Sequence, residues 1–313
     1  MEKRKLGNTD LAIMPLIFGG NVFGWTADKA MSFALLDAFF EAGFNAIDTA
    51  DVYCRFVPGK EGGESETIIG EWMKDRGVRD QIVLITKGGM DMGEGKFGLG
   101  KAYVSQACEA SLKRLQTDYI DLYMAHQPDP NTPIGETLEG FQALIDSGKV
   151  RYASCSNYTA EQLTEALNAA GGGCARFEVL QPHYNLIERS AYEGALESLC
   201  LKENLGVIPY FALAAGFLTG KYRSKKDLRE NMRSSMVAGY LEPRGLSLLD
   251  TLDTVAQKHS ATPAQIALAW LMARPSITAP IASATNPDQL GSLLKVPEIT
   301  LDQDDITRLN NLA

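Results

Sequence analysis

The stretch DKAMSFALLDAFFEAGFNAIDTA, Asp28 to Ala50, contains a complete change of hydrophobic period. Met31, Ala34, Leu35, Ala38 and Phe39 recur at three- and four-residue intervals, which draws one apolar stripe along a helix, and Gly43 is placed to stop it. The next residues, Phe44–Asp48, form a short apolar run that ends on a carboxylate and reads as a buried strand. A helix that closes on glycine and hands over to a strand is the unit of a parallel sheet. Parallel neighbours cannot be joined by a tight turn and need a crossover of this length.

Outward from this unit the same alternation continues. Short apolar runs fall at Leu16–Gly19, Phe44–Asp48, Ile82–Thr86, Ile120–Ala125, Val150–Ser154, Glu178–Pro182, Val207–Tyr210 and Ile277–Ile281. Between them ESETIIGEWMKDRG, AYVSQACEASLKRL, GETLEGFQALIDSG, TAEQLTEALNAAG and AYEGALESLCLKENLG repeat the helical spacing, most of them closing on glycine. The strands read as continuous apolar runs, as strands covered on both faces should. Eight such units predict an α/β fold of the (β/α)8 TIM barrel type, spanning residues 1–313 as a single domain. Before the first strand, KRKLGNTDLAIM predicts a small hairpin turning at Gly7-Asn8 and capping the barrel bottom. After the seventh strand a polar segment, Thr219–Pro243, and two extra helices, Leu246–His259 and Pro263–Arg274, interrupt the pattern. Insertions of that kind sit where barrels carry substrate loops.

Bulk composition narrows the function. Thirty Lys and Arg stand against 39 Asp and Glu, a net charge of −9, which argues against nucleic-acid or anionic-membrane partners and for a small-molecule substrate. No apolar run approaches the roughly 18 residues of a membrane span, and MEKRKLGNTDLAIMPL lacks the apolar core of a signal peptide. Cys54, Cys108, Cys155, Cys174 and Cys200 make no CxxC pair and leave an odd one over, the pattern of free thiols in the cytoplasm. His126, His183 and His259 make no HxH or HxxxH pair, so no metal is expected.

Barrel chemistry gathers at the C-terminal ends of strands. Those ends offer Asp48, Lys87 and His126, with Tyr53 in the loop after the second strand. Each admits a plain reading as a cap, a solvated strand end, a core histidine or a packed aromatic. As a set they can make a proton donor. A lysine ammonium beside a phenol favours phenolate and lowers its pKa from about 10. A carboxylate compensates the lysine, and an imidazole can hydrogen-bond a substrate carbonyl. GEGKFG, Gly93–Gly98, fits the dinucleotide fingerprint G-x-G-x-x-G but does not follow its strand directly, because KGGMDM intervenes. With six glycines between Gly88 and Gly100, a flexible loop is the other reading.

NAIDTADVY, ITKGG, DLYMAHQPD, SCSNYT, LQPHYNL, IPYFALAAGFLTGKYR and IASATNPDQL, in this order at the ends of the predicted strands, resemble the aldo-keto reductase family over nearly the whole chain. The likeness is to the bacterial, potassium-channel-beta-subunit-like branch. It implies an oxidoreductase that reduces an aldehyde or ketone with NAD(P)H. Tyr53 would be the general acid, Lys87 and Asp48 would tune it, and His126 would position the carbonyl. By motif match Ser156, Asn157 and Gln181 would hold the nicotinamide carboxamide, and Tyr210 would stack under its ring. Phe211, Leu213, Gly216 and Lys221 would cover the pyrophosphate, and Ser283, Thr285 and Gln289 the adenosine end. That last loop departs from the family pattern. No Lys or Arg lies between Pro275 and Leu294, and Leu293 stands where an adenine-binding Asn is usual, leaving Arg223 as a cation within reach. NADP(H) is expected from family frequency, with NAD(H) as the second choice. Phe23, Trp25 and Phe56 are candidates for an apolar substrate wall, and RFVPGKEGGESE together with Thr219–Pro243 for specificity loops. The basic run RSKKDLRENMR suits either an anionic group or a solvated face. Two rival functions share this fold: a regulatory or redox-sensing subunit with little turnover, and an aldolase using Lys87 as a Schiff-base nucleophile.

Overall fold

The computed structural model describes residues 2–228 and 232–311. A two-stranded antiparallel hairpin, β1 (Arg4–Lys5) and β2 (Ala12–Ile13), precedes eight parallel strands. These are β3 (Ile17–Gly19), β4 (Ala46–Asp48), β5 (Val83–Gly88), β6 (Ile120–Ala125), β7 (Val150–Ser156), β8 (Phe177–Gln181), β9 (Gly206–Val207) and β10 (Ile281–Ala282). The sheet order is β10-β3-β4-β5-β6-β7-β8-β9, so β10 reaches back past the whole sheet to pair with β3. The other flank of β9 is met by the segment leading into β10: Thr278 N–H donates to Val207 O at 2.8 Å and Ile281 N–H to Pro209 O at 2.9 Å. Both edges of a curled sheet thus find partners, an arrangement consistent with a (β/α)8 barrel.

The seventh and eighth strands are shorter than the apolar runs Val207–Tyr210 and Ile277–Ile281 suggested. Pro209 and Pro280 lie inside those runs and have no N–H to give a ladder, so only single carbonyl contacts continue the pairing there.

Two apolar layers follow from strand alternation. Leu6, Leu11 and Ile13 of the hairpin region meet Ile17, Ile85, Leu122, Met124 and Ile281 in a cluster that no helix enters, so the hairpin plugs the inside of the curl. Phe18, Leu84 and Tyr123 point the other way, into a larger cluster shared with helices. The turn Leu6–Thr9, closed by Thr9 N–H to Leu6 O, is centred on Gly7-Asn8. Gly7 has φ +56° and a Cβ there would lie 2.5 Å from Gly206 N, so glycine is required on two counts.

The covering helices start and stop where their ends are satisfied. Helix α1 (Lys29–Glu41) is capped by Asp28, whose carboxylate accepts Met31 N–H, and α2 (Glu64–Arg76) ends at Gly77 in the left-handed region. A Cβ on Gly70 of α2 would sit 2.5 Å from the backbone of Leu115, the last residue of α3 (Lys101–Leu115), so this glycine sets how closely the two helices approach. Next come α4 (Ile134–Asp146), α5 (Ala160–Ala169, with a Thr159/Gln162 capping box) and α6 (Ala195–Lys202). Helix α6 begins later than the apolar pattern from Ala191 suggested, because Gly194 adopts φ 98°, ψ −117°. Helices α7 (Met232–Ala238), α8 (Pro243–Lys258) and α9 (Pro263–Ala273) lie between β9 and β10, and α10 (Pro287–Leu294) and α11 (Gln303–Asn310) follow. Among the described residues no helix is long and apolar enough to cross a membrane.

Gly93–Gly98 opens no helix directly after a strand. It lies in the irregular connection between β5 and α3, folded on itself by Lys96 N–H to Gly93 O and Gly98 N–H to Gly89 O. The dinucleotide fingerprint is therefore a coincidence of a glycine-rich loop.

Candidate active site

Three adjacent strands bring the ionisable residues of the rim together. Asp48 ends β4, Lys87 lies near the end of β5, and His126 directly follows β6, its N–H bonded to Gly88 O. The loop beyond β4 stays against β5 through Thr49 N–H to Ile85 O and Asp51 N–H to Lys87 O, which returns Tyr53 over Lys87. The Lys87 side chain is wholly buried. Its ammonium donates to Asp48 Oδ2 at 2.8 Å, to Thr49 O at 2.7 Å and to the Tyr53 hydroxyl at 3.0 Å. The Tyr53 hydroxyl lies 3.4 Å from the same Asp48 oxygen. The His126 ring stands edge-on to that of Tyr53, with centroids 6.2 Å apart. Its Nδ1 is buried with no partner among the described residues, polar capacity the fold itself does not use.

Burial dominates the electrostatics. It holds the Tyr53 phenol well above 10, with the Asp48 carboxylate and its hydrogen bond adding in the same direction. The expected downward pull of Lys87 on Tyr53 does not prevail in the resting site, so the side chain is a phenol ready to give a proton. Burial also lowers Lys87, outweighing the opposite pull of Asp48. His126 is pushed well below 6.5 by burial and then by Lys87, and is neutral.

The residues expected to hold a nicotinamide are joined to this set. Gln181 Nε2 donates to the second Asp48 oxygen at 2.8 Å. Its backbone carbonyl accepts the Ser156 hydroxyl at 2.9 Å and Asn157 N–H. Asn157 Nδ2 donates to His126 O at 3.0 Å, and its Oδ1 accepts the Tyr210 hydroxyl at 2.7 Å. Tyr210 stacks on His183 with centroids 5.3 Å apart, a neighbour the sequence did not single out. The adjoining loop carries consecutive left-handed residues, Ala214, Ala215 and Gly216, after Phe211 at φ 52°, while Leu213 is half-buried against the core. A Cβ on Gly216 would approach the Lys221 ammonium to 3.5 Å, so bare backbone and a cation lie side by side.

The remaining candidates separate. Ser283 is tied to the start of the sheet, its hydroxyl bonding Gly19 O and Asn21 Oδ1. Gln289 Oε1 accepts both the N–H and the hydroxyl of Thr285 at the start of α10, where Asn286 is the cap. Arg223 is committed to Asp253 at 2.7 Å and to Gly220 O, and is not held in reserve for this loop. In the basic run, Lys225 and Lys226 sit in a turn capped by Ser224 and Asp227, and Arg229 lies outside the described residues. Trp25 and Phe56 form an edge-to-face pair at 5.0 Å, with Phe56 exposed. Phe23 does not join them. It is fully buried, stacked on Phe18 in the helix–sheet layer, because the chain turns inward at Val22–Phe23 to cover α1, and it offers a substrate no surface.

Sequence reasoning missed a second group of charges beside Lys87: the buried Asp51 and Glu66 with the half-buried Arg114. A carboxylate inside the apolar stripe of α2, at Glu66 next to Ile68 and Ile69, was the available signal.

Comparison with known proteins places these observations. The sequence model of the aldo/keto reductase family matches residues 15–313. The chain is 34% identical over 325 residues to the uncharacterized oxidoreductase YrpG of Bacillus subtilis (strain 168), covering 100% of this chain and 96% of that protein. It is 33% identical to the aldo-keto reductase YhdN of the same organism, over 94% of this chain and 86% of that one. A probable voltage-gated potassium channel subunit beta of Oryza sativa subsp. japonica is 32% identical, over 96% and 92% respectively.

Proposed function

The chain belongs to the aldo/keto reductase family, and from that premise we propose that it is a single-domain NAD(P)H-dependent reductase of aldehydes or ketones in which Tyr53 donates the proton. One observation carries the reading: a fully buried lysine, charge-paired with Asp48, directs a third hydrogen bond at the hydroxyl of Tyr53. A buried ion pair is a costly way to stabilise a fold. A phenol placed on that pair can instead give its proton to a substrate and leave a phenolate beside a waiting positive charge.

When bound, the nicotinamide would supply hydride to the carbonyl carbon. Ser156, Asn157 and Gln181 are the residues to hold its carboxamide, with Tyr210 beneath the ring. The left-handed turn at Ala214–Gly216, with Lys221, suits a pyrophosphate. The start of α10 beside Thr285 and Gln289 suits the adenosine end. NADPH is the preferred form, the helix terminus and hydroxyls standing in for the missing cation. Neutral His126 would hydrogen-bond the carbonyl oxygen and fix it within reach of Tyr53. As negative charge develops on that oxygen, the Tyr53 O–H bond breaks toward it, and the phenolate left behind is stabilised by Lys87. Asp48 keeps Lys87 charged and oriented. The Trp25–Phe56 pair is the apolar wall against which the rest of the substrate would lie.

A Schiff-base role for Lys87 is disfavoured by its bonding. All three ammonium protons are engaged, with Asp48, Thr49 and Tyr53, leaving no free lone pair for attack.

Tyr53→Phe tests the proposal. Carbonyl reduction should fall by about 10²–10⁴-fold, the range for removing a general acid, while NADPH binding followed by protein fluorescence stays nearly unchanged. Retention of most of the turnover in this variant would remove Tyr53 from the mechanism.

A further inference from the structure

Beside the Lys87–Asp48 pair lies more negative charge than positive. Glu66 on α2 is fully buried and well served: it accepts Thr86 Oγ1 at 2.6 Å and Arg114 Nε at 2.6 Å. Asp51 is only 2% exposed, and its Oδ1 meets no donor among the described residues. Its backbone is nonetheless fixed on the lysine, through Asp51 N–H to Lys87 O at 3.1 Å. The charged groups that act on its carboxyl come from three elements: Glu66 on α2, Arg114 on α3 and Lys87 on β5. Tyr103 on α3 and Tyr123 on β6 feel it in turn. With every group ionised, the carboxylates of Asp48, Glu66 and Asp51 would share only the cations Lys87 and Arg114. Asp48 and Glu66 have ion partners at 2.8 Å and 2.6 Å. Among the described residues Asp51 alone does not, and an uncompensated buried charge is the costliest arrangement. It is therefore the carboxyl that keeps a proton, and burial followed by Glu66 pushes it up to about 8.

We propose that Asp51 is a positioning residue for the proton-transfer step, neutral in the working enzyme so that the whole Lys87 charge serves Asp48 and the departing proton of Tyr53. This rests on the reading of Tyr53 as proton donor. In that step the Tyr53 O–H bond breaks, the proton goes to the substrate oxygen, and a phenolate remains beside Lys87. An ionised Asp51 places a second negative charge near the same lysine, makes the phenolate harder to form and slows reduction.

The test uses the intact protein with NADPH and 4-nitrobenzaldehyde as the probe carbonyl, wild type beside Asp51→Asn. The wild-type kcat should fall by up to about tenfold from about pH 7 to about pH 9, the span over which such a group passes from mostly protonated to mostly ionised. Asp51→Asn should lose that step. Difference infrared spectra, wild type minus variant, should show a protonated-carboxyl band that disappears over the same range whether or not the protein is turning over. An unchanged pH profile in Asp51→Asn, or no such band, overturns the assignment while leaving Tyr53 in place. A titrating band in a protein that reduces no carbonyl overturns the reductase reading, and the role of Asp51 with it. Should Asp51→Asn fail to fold, the wild-type infrared and kcat midpoints decide: coincidence supports the proposal, and separation by more than about one pH unit sinks it.

Discussion

The two sides of the strand-end rim are built on opposite principles. Around β4 and β5, four ionisable side chains (Asp48, Asp51, Glu66 and Lys87) are packed where water barely reaches, and with the half-buried Arg114 three of them are locked into pairs. At β10 and α10, Ser283, half-buried against Gly19 and Asn21, and the more open Thr285 and Gln289, bonded to each other, offer hydroxyls and an amide, and no cation lies between Pro275 and Leu294. Buried charge leaves each residue almost no alternative partner, so the first side is geometrically over-determined. The exposed side is adaptable: water can replace any bond the cofactor does not make. On the proposed function, the first side serves one chemical step and the second holds a ligand whose exact form the scaffold does not dictate.

Removing one charge from the first side should produce the largest effect. In Lys87→Met the carboxylate of Asp48 remains buried without its cation, which costs about 3–5 kcal/mol of stability when a buried pair is broken. Carbonyl reduction should be lost at the same time. Urea unfolding and steady-state turnover of the same preparation check both expectations. A variant as stable as wild type would mean that Asp48 is not held as an anion, and the contrast between the two sides would collapse.

The same contrast explains what could be read from the amino-acid order. The unit Asp28–Ala50 announced the helix, its glycine stop and the strand, because amphipathic period and chain reversal are local properties. Asp48, Lys87 and His126 were legible because strand ends are where an apolar run stops, and a charged residue there stands out. Asp51 and Arg114 were not, because nothing local reveals that the α2–α3 packing, close enough to exclude any side chain at Gly70, brings Arg114 onto Glu66 and both beside the loop after β4. Phe23 misled for the converse reason. An aromatic in a loop reads as rim, and only the turn at Val22 shows that it faces the core. The direction of the tyrosine's shift also escaped, since a lysine at the next strand end is visible in order and depth of burial is not.

On the exposed side a gain of charge is the informative change. Thr285→Arg should raise the preference for NADPH over NADH by about tenfold, equivalent to one modest charge-assisted hydrogen bond of about 1.5 kcal/mol. Fluorescence titrations with both nucleotides measure it, and turnover at saturating cofactor should move little. An unchanged ratio would detach this loop from the 2′-phosphate and shift attention to Lys221.

The smallest effect concerns mild acid, and it should be confined to one side. His126 is buried and held well below its ordinary 6.5, so the folded protein resists a proton that the unfolded chain accepts readily. A depressed group of this kind contributes stability above its unfolded pKa and loses it as pH falls. Read in an Asp51→Asn background, which removes the opposing gain from the proton that Asp51 keeps in the folded state, the loss between about pH 7.5 and about pH 5.5 amounts to about 1 kcal/mol for one histidine. His126→Asn should remove that slope, leaving the part due to His183, which burial also lowers. The opposite side carries one ionisable residue between Pro275 and Leu294, Asp288, and no histidine. In that Asp51→Asn background amide exchange, taken relative to its intrinsic rate at each pH, should therefore quicken around β4–β6 before it quickens at α10 as the pH falls to about 5.5. Equal acceleration on both sides would mean that the sheet yields as one unit, and that the buried charges stiffen the whole rim and not their own strands alone.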